Sequence, residues 1–184
     1  MKTVLFLLTS ISLLAQPVDL EKLDRLLAES ANFTPGANSS PLRDIDNIVA
    51  TIADSATRQA VEERLLLALP KAQTAAAKGH ICRQLYYVGG SKSIAPLAAL
   101  LADAEIADVA RRSLAVIPDA EAGDALLNAM PTLDTQGQIG VIIALGDRKH
   151  EPARAALGAL LASANSAKVA AAASALGQLG GAKA

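Results

Sequence analysis

Tryptophan is absent from this chain, and tyrosine and phenylalanine occur only twice each. Aromatic residues make up 2% of the sequence, too few for the aromatic and β-branched alternations that mark strands. The single cysteine, Cys82, excludes an intrachain disulfide, a Cys-x-x-Cys chelate and covalent haem attachment through Cys-x-x-Cys-His. Neither sign of charge is in excess. Seventeen basic and 18 acidic residues give a net charge of −1, without a run of like charge. So balanced a chain lacks the electrostatic footprint of a nucleic-acid binder or of an anionic-membrane patch. Also missing are a Gly-x-Ser-x-Gly elbow and a Gly-x-x-x-x-Gly-Lys phosphate loop.

What is present is alanine, at 40 of 184 positions, with leucine beside it. Alanine is the best helix former and a poor strand residue, and its small side chain lets helices approach closely. The composition predicts an all-α protein.

At the start, Lys2 precedes an apolar run from Val4 to Leu14, followed by Ala15-Gln16-Pro17. This is the pattern of a secretory signal, and the run is shorter than the roughly 20 residues that span a bilayer. Residues 1–15 are read as a signal peptide cleaved after Ala15. The mature protein is then expected in the periplasm or outside the cell, with no stable membrane insertion. Residues 16–40 read as an N-terminal helix, with Leu20, Leu23, Leu26 and Leu27 at helical spacing, and a linker rich in Pro, Gly, Asn and Ser.

Residues 41–184 read as a repeat domain. Ser40-Pro41 makes a good helix start, with Leu42, Ile45, Ile48, Val49 and Ile52 along one face. A second helix follows from about Ser55 to Leu69, ended by Pro70. Thereafter the pattern recurs. Leu97, Leu126 and Leu157 correspond, as do Leu101, Met130 and Leu161. Leu85, Leu114, Leu145 and Leu176 anchor the alternate helices, with breakers expected at Gly89-Gly90, Pro118, Gly146, and Gly177 with Gly180-Gly181. A helix pair every ~30 residues is the signature of an α-solenoid, because one pair cannot bury both apolar faces alone.

Ile94-Ala95-Pro96-Leu97, with Leu100-Leu101-Ala102-Asp103 after two residues, and endings such as Ala175-Leu176-Gly177-Gln178-Leu179-Gly180 resemble the HEAT-repeat superfamily, in its short bilin-lyase-type variety. The resemblance covers Ala72 to Gly181. It implies a right-handed α-solenoid of stacked antiparallel helix pairs, an armadillo-type superhelix whose second helices line the concave side. It also implies an Asp at the turn, matched by Asp103, paired with a basic residue early in the second helix. Lys78 lies near that basic position in the preceding repeat, whereas Ala107 occupies it after Asp103. The commonest role in the superfamily is protein–protein scaffolding.

Chemistry is thinly represented. His80 and Cys82 fall on one helix and supply two ligands, too few for a tetrahedral metal site. The pair His150-Glu151 resembles a ligand pair of the HEAT-repeat di-iron enzyme deoxyhypusine hydroxylase, but Ser93 and Ala122 stand at the equivalent starts of the other helices. One pair cannot hold two irons. No metal, cofactor or catalytic residue is expected. Gly89-Gly90-Ser91-Lys92-Ser93 reads as a helix stop followed by a capping serine.

The remaining candidates concern a partner. Arg83 and Arg112 each stand two residues before an anchor leucine, and Tyr87 follows Arg83 by one helical turn. All three are expected on the concave side, and Arg and Tyr are enriched at interfaces. Asp108 lies four residues before Arg112 and could neutralise it within the helix. Residues Asp147 to His150 form a second candidate patch. The leading expectation is a non-catalytic adaptor that binds a protein. The rival is an enzyme or chromophore-lyase accessory holding a small molecule in the groove.

Overall fold

A computed structural model describes residues 18–180, so the expected signal segment, residues 1–15, lies outside the described residues. Ten α-helices follow one another, with no strand among the described residues: α1 (Leu20–Glu29), α2 (Ser40–Ala50), α3 (Ser55–Ala68), α4 (Ala75–Val88), α5 (Ser91–Ala99), α6 (Ala107–Val116), α7 (Ala120–Ala129), α8 (Thr135–Asp147), α9 (Arg154–Ala159) and α10 (Ser166–Gln178). Short 3-10 turns extend α3, α7 and α9 and precede α9.

Local chemistry sets where these helices begin. The side chains of Asp19, Asp54, Thr74, Asp134 and Asn165 each accept a hydrogen bond from a backbone N–H of the first turn. Each satisfies a donor that the helix itself leaves open. The serine cap expected near Ser91 is not used. Gly90 is the N-cap of α5, and Glu62 of α3 takes the place of a local cap, as described below.

Helices touch in a regular order. Among the odd-numbered ones, α1 contacts α3, α3 contacts α5 and α5 contacts α7. Among the even-numbered ones, α2 contacts α4, α4 contacts α6, α6 contacts α8 and α8 contacts α10. One apolar core runs from Leu23 to Ala175. It includes Leu85, Leu114 and Leu145, all fully buried, with Leu176 packed at its edge. Leu97, Leu126 and Leu157 are fully buried as well.

The N-terminal helix belongs to this core. Leu23, Leu26 and Leu27 are buried, Asp24 pairs with Arg64 at 2.8 Å, and the linker is tied down where Thr74 Oγ1 donates to the Phe33 carbonyl.

Further expectations need correction, and Gly177, expected to break a helix, lies within α10. Gly146 does not break a helix: it lies buried inside α8, and the chain leaves the helix after Asp147, with Lys149 at φ 51°. Gly146 is there because α10 crosses closely, so that a Cβ would meet the Ala175 Cα at 2.7 Å. Leu161 does not repeat the burial of Leu101 and Met130; it falls in the 3-10 turn after α9 and is exposed. Lys78 is not a turn partner by any contact seen here. Asp103 instead accepts from the Glu105 N–H through Oδ1.

Candidate partner-binding groove

α2, α3 and α4 surround an open groove of about 600 Å³. Its lining comes from Asp46, Val49 and Ala50 of α2, Arg58 of α3, and Arg83, Gln84 and Tyr87 of α4. The 3.6-residue period explains the last set: Arg83 and Tyr87 lie one turn apart, on the face opposite the buried Leu85. Two expected partner residues, Arg83 and Tyr87, are therefore brought together.

Beneath the mouth sits a polar cluster. His80 Nε2 lies 2.9 Å from Asp46 Oδ1, and Gln84 Nε2 donates to the same oxygen at 2.7 Å. His80 and Gln84 are almost wholly buried, while the Asp46 side chain is half exposed. Burial pushes the His80 pKa below its ordinary value; the Asp46 carboxylate opposes that shift and the Arg83 charge adds to it. His80 thus holds α4 to α2 and offers no exposed nitrogen to the groove.

Arg58 donates from Nη1 to the Tyr87 carbonyl at 2.6 Å, capping the end of α4. The Arg83 guanidinium has neither hydrogen bond nor ion pair among the described residues. Tyr87 is 59% exposed and meets Tyr86 edge-on, with ring centroids 5.1 Å apart.

Arg112 stands apart from this groove. It is exposed on α6 and pairs with Asp108 Oδ2 at 2.9 Å, the intrahelical partner that its spacing suggests. Arg111 takes the other oxygen of Asp108, and that hydrogen bond is the largest cause holding the Asp108 carboxyl below its usual range. A second groove, of about 620 Å³, lies between α6 and α8 and is lined by Arg111, Asp108, Asp134 and Ile143 among others.

The patch from Asp147 to His150 has structural occupations. Arg148 donates to the carbonyls of Leu114, Ala115, Ile117 and Asp119, closing the end of α6. His150 is buried, 3.0 Å from Asp124 Oδ1. Cys82 is fully buried, and burial pushes its thiol pKa up to about 11. It stays a protonated, inert hydrophobe at neutral pH. Among the described residues no three His, Cys, Asp or Glu side chains gather as a metal site would require.

Asp46, Arg58 and Gln84 escaped the sequence reading. Arg58 lies on α3 and meets the Tyr87 carbonyl of α4 only through the fold, so no spacing along the chain flags it. Asp46 carries no signal either, because it lies on α2, before the recurring leucine positions begin. Comparison with known protein families and with curated proteins finds no match for this chain.

Proposed function

We propose that this protein is a non-catalytic adaptor, a right-handed solenoid of HEAT-like helix pairs that binds a protein partner across the α2–α4 groove. The observation that carries the reading is the exposed Tyr87 in an open groove with Arg83, which has no ion-pair partner among the described residues. Small-molecule sites generally enclose most of their ligand, whereas Tyr and Arg on an open surface suit a protein interface. Support for the solenoid comes from the serial contacts of odd and even helices and from the spacing of the tertiary hydrogen bonds. Arg58 to Tyr87 spans 29 residues, Glu62 to Ser93 spans 31, Ser113 to Cys82 spans 31 and Gln178 to Asp147 spans 31. The last three each link one helix pair to the next, as stacking of repeats requires.

Export belongs to the same proposal and rests on Lys2 and the Val4 to Leu14 run. Mass spectrometry of the mature protein should find a new N-terminus at Gln16; an intact Met1 would refute export. For the groove, the test is affinity capture from the exported fraction. The double variant Arg83→Ala with Tyr87→Ala should lose the retained partner, while Arg112→Ala, outside the groove, should keep it. Equal capture by wild type and double variant, with helicity confirmed by circular dichroism, would remove the groove from the account.

A further inference from the structure

The α2–α4 groove carries a charge pattern that specifies its partner further. Two guanidinium groups, Arg58 and Arg83, and one carboxylate, Asp46, line it. Asp46 is already engaged, since one of its oxygens accepts from Gln84 and faces His80 Nε2. Arg58 is fixed at the end of α4 by its bond to the Tyr87 carbonyl, so its charge is held in place rather than swinging free. Arg83 has no anionic partner among the described residues, in contrast to Arg64, Arg111, Arg112 and Arg154, each of which meets a carboxylate. A positive site thus persists on a chain whose overall charge is −1.

Apolar surface flanks the charge: Val49 and Ala50 on one wall and the Tyr87 ring on the other. Building on the adaptor reading, we infer that the groove binds an acidic peptide segment of its partner, in which a Glu or Asp carboxylate meets Arg83 and Arg58 while a neighbouring apolar side chain lies on Tyr87. A guanidinium presents a planar fork that matches a carboxylate and forms charge-assisted hydrogen bonds with it. A nucleic acid would need many more phosphate contacts than two arginines supply.

The test uses the mature protein and a short fluorescein-labelled peptide alternating leucine and glutamate, with glutamine and lysine versions as controls. Fluorescence anisotropy should show binding of the glutamate peptide, weakened at least about fivefold by its glutamine version and again at least about fivefold by raising the salt from 50 to 500 mM. Arg83→Gln should weaken binding by about five- to tenfold, and Arg83→Lys by less, because charge is kept and the fork is lost. Amide chemical shifts should move in α2, the start of α3 and the end of α4. Equal binding of glutamate and glutamine peptides, shifts centred on the α6–α8 groove, or no binding at millimolar peptide would each overturn the inference. The adaptor reading fails separately: if the Arg83→Ala, Tyr87→Ala variant still captures the partner, the interface is elsewhere; if capture is lost but acidic peptides do not bind, the groove stands and its charge preference does not.

Discussion

Gly146 and Gly158 occupy helices in opposite surroundings, and single residues of this kind carry the sharpest physical tests of the structure. A Cβ at Gly146 would meet the backbone of α10, at the Ala175 Cα, whereas a Cβ at Gly158 would meet nothing within 4 Å. Gly146→Ala should destabilise by about 1–3 kcal/mol, since α10 must shift. Gly158→Ala should stabilise by about 0.4–1 kcal/mol by reducing the freedom of the unfolded chain. Urea unfolding midpoints of the two variants check both signs. His80 provides a pH test. Its pKa is lowered in the fold, chiefly by burial, so below an unfolded value near 6.5 the unfolded chain binds a proton that the folded one resists. The contribution is full above that pH and is lost as the pH falls. Between pH 7.5 and 5.5 the wild type should lose more stability than His80→Gln, and parallel slopes would contradict the assignment. The sequence alone suggested a break at Gly146, because a glycine near the end of an apolar helix looks the same whether it ends the helix or admits a neighbour.

Helix by helix, most of the architecture was legible, because the elements obey local rules. The helical stretch after Asp19, the helix from about Ser55 and the apolar registers of Leu85, Leu114 and Leu145 follow from spacing along the chain. The start of α5 was not legible. Its cap is Glu62, which is buried and accepts from the Gly90 N–H at 2.7 Å and from Ser93 Oγ at 2.6 Å. Nothing in the local run Gly89 to Ser93 reveals a cap supplied from the preceding pair. Glu62→Ala should leave both donors without their acceptor and cost about 1–3 kcal/mol, with hydrogen exchange rising first at the N-terminus of α5. Unchanged stability and exchange would mean that water replaces the carboxylate without penalty.

At the scale of the whole molecule, α2, α3 and α4 bring residues distant in sequence onto one surface, and the groove arises there. Two of its seven lining residues could be read in advance. Arg83 and Tyr87 share a turn of α4, so periodicity places them together. Asp46 and Arg58 enter only because α2 and α3 fold back beside α4, a long-range arrangement that no local spacing encodes. Arg112 keeps the register of Arg83 yet has Asp108 one turn before it, and the same register therefore yields a neutralised pair on α6 and an open charge on α4. The proposal that the α2–α4 groove is the partner interface is tested most directly by replacing Tyr87 with a photo-crosslinking amino acid in the producing cell. A matching substitution of Leu67, an exposed residue of α3 outside the groove lining, serves as the comparison. The account predicts a discrete crosslinked protein from position 87, absent from position 67 and abolished by Arg83→Ala. Crosslinks from position 67 alone, or a position-87 adduct indifferent to Arg83, would contradict it.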